Sequence, residues 1–211
     1  MNIQLALDRL TIKQAVQAAA PVADYIDWME VGTSLIKEFG MDSVKALKHA
    51  YPDHLIVADA KTFDNAVYEF EMCYAAGADM VTVMGAAPLV TVEACMNVAE
   101  KRGKKVMIDL LHTPEAQVKQ LTAYSEAVFC LHVSKDQQEM QGGALSGSGG
   151  QVPDCLALNK SFKLAFAGGI TEDSIRELIP YEPYAVIIGS AITKSENPVL
   201  AAKAFSKFKR R

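Results

Sequence analysis

Eight short apolar runs recur along this chain, and most are followed by a stretch of helical periodicity. The runs span 3–8, 26–31, 55–60, 79–84, 105–110, 127–132, 163–167 and 185–189. Their starts lie roughly 22 to 36 residues apart, the length of one strand plus its crossover helix. Ile12, Ala15, Val16 and Ala19 follow the i, i+3, i+4, i+7 spacing of one buried helix face, and Val92, Cys95, Met96 and Ala99 repeat it. Helix starts are punctuated at Thr113-Pro114-Glu115 and Asn197-Pro198, where a capping side chain precedes proline, and at Thr171 before Glu172 and Asp173.

Strands this apolar imply a parallel sheet with helices on its faces. Either a doubly wound open sheet or a closed barrel satisfies that rule. No early GxGxxG fingerprint marks a dinucleotide crossover. Polar residues close many strands rather than one pair, which is where barrel enzymes carry their chemistry. The expectation is an α/β chain forming a single-domain (β/α)8 TIM barrel over residues 1–211.

Composition narrows the partners. The chain has 211 residues and a net charge of −4, which argues against a nucleic-acid or membrane-surface binder, since both need a basic face. The basic tail Lys207, Lys209, Arg210 and Arg211 reads as a solvated helix end. The N-terminal MNIQLALDRL lacks the basic region of a signal peptide, and no run reaches the ~20 apolar residues of a membrane span. Cys73, Cys95, Cys130 and Cys155 share no metal-type spacing and read as buried reduced thiols, so a cytoplasmic location is expected. The Gly/Ser-rich run from Gln141 to Gly150, in a loop set at about 139–152, is expected to be mobile. It reads equally as a lid after the sixth strand or as a tolerated insertion.

Side chains alternate across a strand, so residues two apart share a face. In Val57-Ala58-Asp59-Ala60-Lys61 the alanines suit the helix side, which sends Asp59 and Lys61 to the barrel mouth. Asp64 is a second acid within reach of the same mouth. The same rule delivers Asp8 below Gln4 and Ala6, Glu30 after Trp28, Asp109 after Met107, and His132 after Cys130. One carboxylate alone is usually an ion pair or a cap; five strands converging point to chemistry. Several acids with one lysine suit Mg2+, which takes oxygen ligands, whereas zinc would need a His or Cys cluster. His132 is a candidate general base, because imidazole titrates near neutrality. Ala167-Gly168-Gly169-Ile170-Thr171 and Ile188-Gly189-Ser190-Ala191-Ile192 end the last two strands, where barrels bind phosphate.

These residues resemble the orotidine-monophosphate decarboxylase superfamily along nearly the whole chain. The likeness is carried by Leu5-Ala6-Leu7-Asp8, Glu30-Val31-Gly32-Thr33, Asp59-Ala60-Lys61-Thr62-Phe63-Asp64, Ala76-Gly77-Ala78-Asp79 with Val81-Thr82-Val83, Ala167-Gly168-Gly169-Ile170 and Gly189-Ser190-Ala191-Ile192-Thr193. Its formaldehyde-fixing branch implies a lyase of the aldolase type. That reaction is a Mg2+-dependent condensation of formaldehyde with D-ribulose 5-phosphate through an enediolate, in a homodimer with shared active sites. Carried over, the resemblance implies that Glu30 and Asp59 hold Mg2+, Lys61 stabilises the enediolate and His132 moves the C1 proton. Asp8 and Asp109 complete the catalytic set, and Asp64 reaches into the partner's site. Gly168, Gly169, Gly189 and Ser190 would hold the phosphate.

A branch that decarboxylates 3-keto-L-gulonate 6-phosphate is the alternative, and a sugar-phosphate-binding barrel without turnover is a second. Asp109 stands where the decarboxylases resemble glutamate, and Ser190 where they tend to arginine. His132-Val133-Ser134-Lys135 matches neither branch's pattern, and Asp64-Asn65-Ala66 lacks the glycine that usually follows the Asp-x-Lys element.

Overall fold

A computed structural model describes residues 1–141 and 152–209. The order is β1 (Asn2–Leu7), α1 (Ile12–Ala19), β2 (Trp28–Val31), α2 (Thr33–Phe39), α3 (Met41–Ala50), β3 (Leu55–Thr62), α4 (Ala66–Ala75), β4 (Met80–Met84), α5 (Leu89–Arg102), β5 (Lys105–Asp109), α6 (Glu115–Leu121), β6 (Val128–His132), α7 (Lys135–Gln141), α8 (Asp154–Ala157), β7 (Lys163–Ala167), α9 (Glu172–Leu178), β8 (Ala185–Ile188), α10 (Ser190–Thr193) and α11 (Pro198–Ser206). All eight strands pair in parallel and β8 returns to β1, closing the barrel with Gln4 opposite both Trp28 and Ile187. The fold is a (β/α)8 TIM barrel, as the apolar runs predict.

Alternation along each strand splits the core into two compartments. Ile3, Leu5 and Leu7, with Ile56, Ala58, Val81 and Val83, pack outward against the helices. The intervening positions, among them Trp28, Val57, Met80, Met107, Val128 and Cys130, fill the inside. The inner fill floors the barrel, so anything bound must sit above it, at the C-terminal ends of the strands.

Helix starts follow the local signals with one exception. Thr171 caps α9 through a reciprocal box with Ser174, and Asn197 accepts from the Leu200 N–H ahead of Pro198. Thr113 does not cap α6: Pro114 occupies the cap position, and the Thr113 hydroxyl is buried without a hydrogen-bond partner among the described residues. Of the predicted loop at 139–152, residues 139–141 belong to α7, and 142–151 lie outside the described residues. Cys73, Cys95 and Cys130 are buried as expected, while Cys155 is half-buried. Lys209 is paired rather than simply solvated, its Nζ 2.9 Å from Asp27 Oδ1; Arg210 and Arg211 lie outside the described residues. No helix among the described residues is long and apolar enough to cross a membrane.

Candidate active site

A cavity of about 690 Å³ opens at the C-terminal ends of the strands, and Asp8, Glu30, Asp59, Lys61, Asp109, His132, Gly168, Gly169, Gly189 and Ser190 all line it. Asp64 does not. Its side chain is exposed beyond β3 and accepts the N–H of Asn65, so proximity in sequence does not bring this acid into its own chain's cavity.

Lys61 reaches the cavity by a route that plain alternation misses. Ala58 faces Val81 and Thr62 faces Val83, so β3 carries extra residues between these pairs, and Lys61 adopts φ 48°. A bulge of this kind re-aims a side chain. The Lys61 ammonium lies 3.2 Å from Asp59 Oδ1 and 2.6 Å from Asp109 Oδ2. Burial alone would lower its pKa, but the charges of Asp59 and Asp109 outweigh this and hold it firmly protonated.

Asp109 is 2% exposed and saturated with donors. Leu111 N–H reaches Oδ1 at 2.9 Å, while Lys61 and His132 Nδ1, also at 2.9 Å, reach Oδ2. Burial opposes its charge, yet the His132 hydrogen bond and the Lys61 cation hold it well below the usual carboxylate range. An ionised Asp109 only accepts, so Nδ1 carries a proton, and in the neutral form of the ring the lone pair would lie on Nε2.

Glu30 and Asp59 form the acidic counterpart. Both are buried, at 7% and 6% exposure. Burial and the neighbouring Asp59 charge push the Glu30 carboxyl up to about 8, against smaller opposing effects of the Gln4 amide and Lys61. Gln4, wholly buried inside the barrel, donates its amide to Glu30 Oε2. Thr33 Oγ1 donates to Asp59 Oδ2 at 2.5 Å and Thr82 Oγ1 to Oδ1 at 2.8 Å. No three His, Cys, Asp or Glu side chains among the described residues converge as a ready-made cage. Two crowded carboxylates at an open cavity nevertheless fit a hard divalent cation that keeps water and substrate oxygens as its other ligands. A cation there would relieve the like-charge conflict that raises Glu30.

Asp8 sits just past β1 and accepts from both the backbone N–H and the hydroxyl of Ser34 at the start of α2. Gly32 makes this approach possible, since a Cβ there would collide with the Asp8 carboxyl. Across the mouth, Gly168 and Gly169 take φ 99° and 66°. A side chain at Gly168 would strike the Val133 carbonyl. The two glycines therefore lay bare backbone against the cavity beside Gly189 and Ser190.

Sequence reasoning passed over Thr33, Ser34 and Thr82 as site residues, although two of them fall within the family-like segments. It also passed over the cations Arg9, Lys37, Lys135 and Lys194 that ring the mouth. Thr82 was detectable by alternation on β4. Arg9 and Lys194 sit in loops, and Lys37 and Lys135 on helices whose periodicity marks the buried face but not which outer side chain leans over the mouth.

A parallel barrel with an acid–lysine–histidine cluster above its packed floor defines an enzyme-type (β/α)8 site. Residues 1–205 match the orotidine 5'-phosphate decarboxylase / HUMPS family, and the chain belongs to that family. It is 33% identical over 197 residues, 92% of either chain, to the 3-hexulose-6-phosphate synthase of Bacillus subtilis (strain 168). The crystal structure of 3-hexulose-6-phosphate synthase from Salmonella typhimurium superposes with a TM-score of 0.87 and 32% identity, covering 98% of this chain and 97% of that one. The structure of 3-keto-L-gulonate-6-phosphate decarboxylase from Vibrio cholerae O1 biovar El Tor gives 0.82 and 30%, covering 98% and 95%.

Proposed function

We propose that this chain is a Mg2+-dependent aldehyde-lyase that joins formaldehyde to D-ribulose 5-phosphate to give 3-hexulose 6-phosphate. The observation that carries the reading is the relay Lys61–Asp109–His132 facing the paired carboxylates Glu30 and Asp59 across one cavity. His132 Nε2 takes a proton from C1 of the ketose, and the electrons of that C–H bond form the enediolate. The Lys61 ammonium, fixed in place beforehand, offsets the negative charge without solvent reorganisation. C1 then attacks the formaldehyde carbon, a C–C bond replaces the C=O π bond, and the His132 imidazolium protonates the new alkoxide. Glu30 and Asp59 would hold Mg2+, which supplies Lewis-acid polarisation of the substrate oxygens. Gly168, Gly169, Gly189 and Ser190 would bind the phosphate through backbone N–H groups.

The same half-reaction would serve decarboxylation of 3-keto-L-gulonate 6-phosphate, and the likeness to the Vibrio structure favours keeping that second reading. Asp109 and Ser190 support the synthase, because both depart from the decarboxylase-like residues. A homodimer is part of the proposal. α4 packs beside α5, and the two leave Val67, Tyr68, Met72, Leu89 and Val90 exposed next to Phe63 and Asp64. Exposed apolar groups of this kind support a contact surface, and Asp64, outside its own chain's cavity, would serve the neighbour's.

The deciding assay mixes protein, Mg2+, ribulose 5-phosphate and formaldehyde. Formaldehyde consumption is expected. CO2 release from 3-keto-L-gulonate 6-phosphate without formaldehyde uptake would transfer the assignment to the decarboxylase. Phosphosugar binding with neither reaction would leave a binding barrel.

A further inference from the structure

Thr82 lies on β4, 3% exposed, and its hydroxyl makes two directed contacts. It accepts the Lys61 backbone N–H at 2.9 Å and donates to Asp59 Oδ1 at 2.8 Å. Three features of β3 give these contacts weight. The strand breaks register between Ala58 and Thr62. Lys61 holds a left-handed backbone that a residue with a Cβ adopts only at a cost. The bulge removes the Lys61 N–H from the regular ladder, so this half-buried donor turns to another acceptor.

A hydroxyl satisfies that donor and spends its own proton on Asp59, the carboxylate that also receives the Lys61 ammonium. One oxygen therefore ties the backbone of Lys61 to the carboxylate partner of its side chain. We infer that Thr82 is a positioning residue whose hydroxyl pins the β3 bulge and thereby aims the Lys61 ammonium between Asp59 and Asp109. A neighbouring β-branched residue without the oxygen would fill the same space and leave the bulge unheld. The inference rests on the proposed role of Lys61, and its test has one arm that is independent of that role.

The independent arm is amide hydrogen exchange at Lys61, followed by NMR in wild type, Thr82→Val and Thr82→Ser. Valine is nearly isosteric but cannot accept, so Lys61 N–H exchange should accelerate at least about tenfold, while serine keeps it slow. The chemical arm follows deuterium entering C1 of ribulose 5-phosphate in D2O with Mg2+. Displacing a preorganised charge by about an ångström costs on the order of 100-fold. Thr82→Val should therefore lose about 100-fold in kcat with KM within about threefold, and Thr82→Ser should recover most of it. If the valine chain does not fold, Thr82→Ala takes its place.

Unchanged Lys61 exchange in the folded valine or alanine variant overturns the pin. Faster exchange with wild-type kcat overturns the positioning role. A wild-type protein that labels no C1 hydrogen defeats the proposed function instead, and the pin is then judged on amide exchange alone.

Discussion

At the scale of single residues, the site is a set of charges that hold one another in place. Lys61 is the hub, and Lys61→Ala is expected to lower kcat about 100- to 1000-fold, the usual cost of removing a preorganised charge-stabilising donor. The barrel should survive, because the ammonium sits at the mouth and not in either packed compartment. Far-UV circular dichroism beside formaldehyde consumption checks both halves of that statement. Glu30 gives a pH prediction. Its folded pKa of about 8 stands above the ordinary 4.5, so the folded state binds more protons than the unfolded one between those values. Stability present below pH 4.5 is therefore lost as pH rises through 8. In metal-free buffer, wild type should weaken relative to Glu30→Gln between pH 5 and 8, by on the order of a few kcal/mol. Urea midpoints at both ends of that window decide it, and parallel curves for the two proteins would sink the argument.

At the scale of elements, strands were more legible than the loops between them. Periodicity located every strand to within about two residues, because burial on both faces of a parallel sheet leaves long apolar runs. Asp8, Glu30, Asp59, Asp109 and His132 followed from the same rule. Lys61 came to the correct mouth, but through a bulge and a left-handed backbone that alternation does not encode. Thr113 failed as a cap because proline at 114 took the cap position instead. Asp64 left its own cavity because β3 had ended and no periodicity constrained the turn. Helix α4 carries the remaining prediction at this scale. Tyr68 is 66% exposed and Val67 55%, so Val67→Lys with Tyr68→Glu should convert a dimer to a monomer by light scattering. Activity should fall with it if Asp64 serves the partner's site. A wild-type monomer would end the dimer proposal, and a dimer mass unchanged by the substitutions would move the interface off α4.

For the whole molecule, cations stand at the cavity mouth although the net charge is negative. The chain carries −4 overall, and Arg9, Lys37, Lys135 and Lys194 stand at the cavity mouth above its acids, Arg9 and Lys135 both beside Glu139. Cations at a mouth draw in an anionic ligand, and salt weakens that pull. Raising ionic strength from about 0.05 to 0.5 M should lower kcat/KM for the phosphosugar several-fold, with kcat little changed. Lys37→Gln combined with Lys194→Gln should flatten the slope; a slope identical to wild type would remove these lysines from capture. The ring closure has a further consequence, because β1 pairs with β8 as well as with β2. On a ribosome the first strand emerges early but must wait for almost the whole chain before its second neighbour exists. Until then one edge stays unpaired and open to wrong partners, so a pause in translation ahead of residue 185 would expose this protein to aggregation more than one just after the last strand clears the exit tunnel.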